Sequence, residues 1–298
     1  MKPFNKLFAA IEPTRASQNA VDYAVRLALY ENTTVTFCHG VDLAREAVGT
    51  GVSARDGLAR LSGLRREGRQ FLDAAQTAAF GRSVPASTLE LTGSTARATI
   101  NAARNRGVSA IVVGAEAGDR GAISVGTLAE DVLRLSDRPV ILVSRPSLAA
   151  APMASIVVAI DGSQAAKSAL DFALDVAEGG RVQVVAVHVR PRYETDAGIR
   201  KARPLLADVV AYAARRNIKI EVALARGRVV DELATAVKVL KADLLVVGTD
   251  GPGILRALPF PSIAKCASRA IAVPVAVVRA AGHERAYQNL RLTDAIAS

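Results

Sequence analysis

Two turns in the C-terminal half bring together residue types suited to holding an anion. Leu244 to Val247 form an apolar run too short for a helix of usual length and rich in β-branched residues, which predicts a strand buried on both faces. Gly248, Thr249, Asp250 and Gly251 follow it, where glycine lets the backbone turn tightly and leaves N–H groups uncrowded. Ser262 stands where the next helix should begin, with Ile263 to Ala270 as its body and its positive dipole end facing the turn. The second turn, Asp161-Gly162-Ser163, closes a strand from Ile156 to Ile160 and opens a helix from Ala165 to Ala177. Its carboxylate can hydrogen-bond a ribose or a base. Asp161 and Ser163 serve equally well as helix caps, and the two roles are compatible.

Other reactive side chains carry less. His39 and His188 recur at the ends of equivalent strands, but no serine or cysteine elbow and no matching acid accompanies either, so packing is expected of them. The chain offers no general base, metal-binding carboxylate pair or Walker lysine, which predicts a protein that is not an enzyme, with ATP hydrolysis at most slow. Arg190 and Arg192, and Arg226 and Arg228 around Gly227, fall on the strand C-terminal side, where they could steer a phosphate. Exposure on an Arg-rich surface is the simpler account of them. Cys38 and Cys266 have neither a C-x-x-C nor a metal-ligand spacing and are expected to be reduced, buried thiols, with no metal.

The elements that must position these turns repeat. Shifting the numbering by 149 overlays Ala10 to Ala28 on Ala159 to Ala177 with identity at Ala10, Ile11, Ala16, Ala20, Asp22, Ala24 and Ala28, and overlays His39 on His188. Farther on the offset becomes 134, where Gly93 meets Gly227 and Gly114 meets Gly248, so the first copy holds extra residues, assigned to Asp42 to Arg69 as a loop followed by a helix. Each copy alternates five strands with four helices. The strands are expected at residues 7–11, 34–41, 87–91, 110–113 and 140–144, then at 156–160, 182–189, 219–223, 244–247 and 275–279. That alternation predicts an α/β fold: two tandem doubly wound, Rossmann-like domains, each with a five-stranded parallel sheet and a crevice at the strand C-termini where the order reverses. The expected domains are 1–147 and 153–282, joined by a Pro, Ser and Ala linker and followed by a polar tail at 283–298.

Composition agrees with this architecture. Half of the 298 residues are apolar and only 4% are aromatic, as buried parallel strands covered by Ala-rich helices require. The longest apolar runs contain proline and fall well short of a membrane span, and the opening MKPFNKLFAAIEPT lacks a cleavage pattern, so a cytoplasmic protein with no membrane partner is expected. The net charge of +10 is spread over both halves without aromatic interleaving, which makes nucleic acid an unlikely partner.

A strand ending V-A-I-D-G-S, a second strand ending His-Val, L-V-V-G-T-D-G, nine residues to Pro261-Ser262, and V-P-V-A-V-V together resemble the universal stress protein family. The resemblance covers both halves and identifies the chain as a tandem member. It implies an adenine nucleotide, ATP with Mg²⁺, held mainly by the second half. The implied positions are Asp161, Val189, Val247, Gly248, Gly251, Ser262 and Ile263, and Gly162, Ser163 and Thr249 of the same two turns complete the expected nucleotide site. It also implies that the two domains pack as a pseudo-dimer through their last strands, and it leaves room for a homo-oligomer and an unidentified protein partner. The chain departs from the family pattern at Pro261, which has no N–H to give a phosphate. The first half departs further, at Glu12, Glu116 and Ala117, and is expected to be a degenerate copy. Two readings stand on these residues: a stress-response regulator that binds ATP in the second half, and a nucleotide-free scaffold of the same family. A third, RNA binding, rests on charge alone.

Overall fold

The computed structural model describes residues 4–41, 54–93, 95–115, 127–146, 153–178, 181–192, 196–249 and 271–280. The chain divides into two compact units, the first ending at residue 153 and the second beginning at residue 154.

The first unit runs β1 (Lys6–Ala10), α1 (Arg15–Glu31), β2 (Thr34–Val41), α2 (Ala54–Phe80), β3 (Ala86–Thr92), α3 (Thr95–Asn105), β4 (Ala110–Gly114), α4 (Thr127–Leu135) and β5 (Val140–Val143). Its strands lie in the order β3-β2-β1-β4-β5, and every registered pair is parallel. The second unit repeats the plan with β6 (Ser155–Ala159), α5 (Gln164–Ala177), β7 (Gln183–Arg190), α6 (Asp196–Ala214), β8 (Ile220–Arg226), α7 (Val229–Val239), β9 (Leu244–Thr249) and β10 (Val275–Arg279). Its order is β8-β7-β6-β9-β10, with β6 parallel to both β7 and β9. The doubly wound α/β fold expected from the alternation of strands and helices is the fold observed.

Sequence period explains which strands sit where. β1, β4, β6 and β9 are continuous apolar runs with both faces covered, and Phe8, Ile111, Ile156 and Leu244 are fully buried. The outer strands β3 and β8 mix polar and apolar residues and leave much of their length exposed. Neighbouring residues of one strand point to opposite faces, and β2 uses both. The Cys38 thiol meets the Thr99 hydroxyl of α3, whereas His39 packs against Gly68 of α2. Helices therefore cover both faces, and the chain leaves β1 and β4 in opposite directions. That divergence opens the crevice.

The starts of α1 and α5 are fixed by side chains. Thr14 caps α1 by accepting the Ser17 N–H, and Ser163 caps α5 by accepting the Ala166 N–H at 3.0 Å. Asn32 ends α1 in the left-handed conformation at φ 47° and returns its N–H to the helix carbonyls.

Burial pushes the Cys38 thiol up to about 12 from its ordinary 9.0, with the Thr99 hydrogen bond opposing the shift. At neutral pH the thiolate fraction then falls about a thousandfold. Alkylation of Cys38 in a Cys266→Ser background should be at least that much slower in the native chain than in urea; comparable rates would mean that the strand opens readily.

Candidate functional site

The crevice of the second unit is rimmed by the turn after β6 and by the end of β9. Ala159 is the last residue of β6, and Asp161, Gly162 and Ser163 lead into α5, with Gly162 at φ 81°. One oxygen of the half-buried Asp161 carboxylate accepts the Ser163 N–H at 2.9 Å, an Asx turn that pins the carboxylate at the mouth of the crevice. Ser163 is buried and its hydroxyl is spent on capping. Of the three, Asp161 alone brings a carboxylate to the mouth of the crevice.

Gly248 and Thr249 were expected to form a turn and instead continue β9. The reason for the glycine is packing. A Cβ at Gly248 would lie 2.5 Å from the Ala165 carbonyl oxygen and 2.6 Å from the Ala166 nitrogen, inside the first turn of α5. Gly114 of the first unit meets the same obstacle, with Ala16 carbonyl atoms at 2.5 Å and the Ser17 nitrogen at 2.7 Å. Both glycines let a helix N-terminus rest on the end of the neighbouring strand.

Thr249, one residue on, has a buried hydroxyl oxygen with no hydrogen-bond partner among the described residues. A buried hydroxyl left unpaired costs free energy, so such atoms point to a missing partner. Ala115 holds the equivalent place in the first unit and brings no polar atom.

The model of the universal stress protein family matches residues 3–144 and again 153–279. The chain belongs to the universal stress protein family. It is similar to the universal stress protein YxiE of Bacillus subtilis, 32% identical over 151 residues, 47% of this chain and 99% of that one. The fold resembles a universal stress protein from Archaeoglobus fulgidus with a TM-score of 0.71 at 18% identity, over 94% of this chain and 98% of that one. A second Archaeoglobus fulgidus member, solved in complex with dAMP, is 16% identical over 48% of this chain and 98% of its own, with a TM-score of 0.33.

Of the expected site residues, the structure gathers Asp161, Gly162, Ser163, Gly248 and Thr249 at the strand ends beside α5. Val247 is buried inside β9, so it can offer a ligand only its backbone, and Val189 is buried in β7. Gly251, Ser262 and Ile263, with Pro261, lie outside the described residues, as do Glu116 and Ala117 of the first half.

The two histidines have a shared structural task. His39 Nδ1–H donates to the Ile11 carbonyl at 2.9 Å, and His188 Nδ1–H donates to the Ile160 carbonyl at 2.7 Å. Each ties the last residue before a turn to the adjacent strand, which holds the turn in place and fixes the imidazole tautomer.

Of the four arginines, Arg192, Arg226 and Arg228 are exposed as expected, and Arg190 is not. Arg190 is only 7% exposed and belongs to β7, where it shares a face with His188 and so points into the layer between sheet and helices. Its Nε and Nη1 have no hydrogen-bond partner among the described residues, and Val41 stands at the equivalent place in the first unit. Arg226, exposed at the end of β8, donates twice to the Arg192 carbonyl. Sequence reasoning missed the burial of Arg190 because arginine carries no inward signal of its own.

Proposed function

We propose that this universal stress protein is a non-enzymatic, cytoplasmic regulator that binds an adenine nucleotide, ATP carried with Mg²⁺, in the crevice between β6 and β9. The observation that carries the reading is the buried, unpartnered hydroxyl of Thr249 at the edge of that crevice. A ligand hydroxyl or phosphate oxygen would complete it. The Asp161 carboxylate supports the same reading: pinned by its Asx turn, it holds an anionic acceptor, the chemistry ribose hydroxyls require, at the mouth of the crevice. These residues bind and orient; none is positioned as a nucleophile or general base. The first unit has Glu12 and Ala115 at the matching places, which favours a single site per chain.

Calorimetric titration of MgATP into the full chain tests this directly. The expected result is one equivalent bound, and about fivefold weaker binding in Asp161→Asn, which keeps the oxygen that the Ser163 N–H needs and loses the charge. No heat at millimolar nucleotide would overturn the proposal.

A nucleotide-free scaffold is the second reading, and Gly248 favours it. Because packing against Ala165 already demands that glycine, its presence owes nothing to a phosphate.

A further inference from the structure

A cavity lies between α5 and α6 of the second unit, on the face of the sheet that these two helices cover. Its volume is about 220 Å³. Ile160, Ala166, Leu170, Leu205 and Val209 line it, so its inner wall is apolar. Sites for drug-sized ligands begin at roughly 300 Å³, so the space suits a smaller body of about eight carbons.

The rim is charged, and unevenly so. Lys167 Nζ and the Arg215 guanidinium each sit 5.4 Å from the centre of the Tyr212 ring, one from α5 and the other just past the end of α6. Both cations lie against the same ring and line the groove. Acids nearby are engaged elsewhere: Asp171 accepts the Tyr212 hydroxyl at 2.5 Å, and Asp175 pairs with Arg216 at 2.5 Å. Asp208 is the one opposing carboxylate among the lining residues. Lys167 and Arg215 have no ion-pair partner among the described residues.

The first unit lacks this arrangement. Asn217 and Ser83, both left-handed, follow α6 and α2 and align the two helices at an offset of 134. Ala78 then stands at the place of Tyr212, Gly81 at that of Arg215, and Phe71 at that of Leu205, while Gln18 replaces Lys167 in α1. The apolar helix pair is common to both copies; the two cations and the aromatic ring are particular to the second.

We propose that the α5–α6 groove of the second unit binds a small amphipathic monocarboxylate, its apolar body between Leu170 and Val209 and its carboxylate against Lys167 and Arg215. An apolar lining with a few convergent charges is the usual chemistry of such a site. The groove borders the β6–α5 turn, where Gly162 and Ser163 also line it, but its charged contacts come from Lys167 and Arg215 and not from Asp161 or Thr249, so the two ligands are recognised by different polar groups.

Octanoate is the probe, titrated calorimetrically into the full chain beside octanol, which has the same apolar body without the charge. Octanoate should bind saturably below about 1 mM and at least about tenfold more tightly than octanol. In Lys167→Gln/Arg215→Gln the octanoate affinity should fall about tenfold while octanol binding is unchanged. Leu205→Trp, at a half-exposed position, should fill the groove and abolish both; the charge variant decides the question should that chain fold poorly. Asp161→Asn should leave octanoate binding intact. Equal affinity for the two probes, insensitivity to loss of both cations, or no saturation by about 10 mM would each overturn the assignment.

Discussion

Gly248→Ala and Gly114→Ala should each lower the free energy of unfolding by about 3 kcal/mol, the upper end of the usual cost of overpacking a tight interior. The size follows from what the new methyl would meet. At Gly248 the obstacles are the Ala165 carbonyl oxygen at 2.5 Å and the Ala166 nitrogen at 2.6 Å, and at Gly114 they are the matching atoms of Ala16 and Ser17. All of these are backbone in the first turn of a capped helix. A flexible side chain could swing aside, but here α1 or α5 would have to lift from its sheet and strain the Thr14 or Ser163 cap. Gly63 supplies the control. It lies inside α2 with nothing within 4 Å of its would-be Cβ, so Gly63→Ala should stabilise by about 0.5 to 1 kcal/mol through helix propensity. Urea unfolding of the three variants gives the comparison. Midpoints of Gly248→Ala and Gly114→Ala indistinguishable from wild type would mean that the helix termini shift freely, and the packing account of both glycines would fail.

That account also marks where the sequence was legible. The internal repeat and the buried strands could be read because parallel strands covered on both faces must be continuous apolar runs, as in Ala110–Gly114 and Leu244–Thr249. Strand ends were less legible. Glycine after Val247 reads as a turn because glycine so often permits one, yet here it serves a close approach between strand and helix that involves a residue more than eighty positions away. Arg190 misleads in the opposite way: its charge reads as exposure, while the alternation of β7 carries it inward. Asp161 and Ser163 were legible as a cap because capping is local, and the Asx turn and N-cap are both formed. The groove between α5 and α6 could not be found this way. Lys167, Tyr212 and Arg215 meet across two helices separated by a strand, and no spacing within either helix announces it.

Thr249→Val separates the nucleotide reading from the scaffold reading by the sign of two effects. Without ligand, the variant removes a buried hydroxyl that has no partner among the described residues, and it should gain about 1 kcal/mol of stability. With MgATP the hydroxyl has work to do, and the variant should bind about tenfold more weakly. Linkage makes the two effects oppose each other. Nucleotide at about a hundred times the wild-type dissociation constant stabilises wild type by about 2.7 kcal/mol, whereas the tenfold weaker variant gains about 1.4 kcal/mol. A lead of about 1 kcal/mol without ligand thus becomes near parity or a slight deficit with it. Thermal unfolding with and without MgATP measures both halves of the argument on the same samples. A lead that persists undiminished in saturating nucleotide would show that Thr249 faces no ligand. The scaffold reading would then inherit a crevice whose glycine, cap and carboxylate all serve the fold.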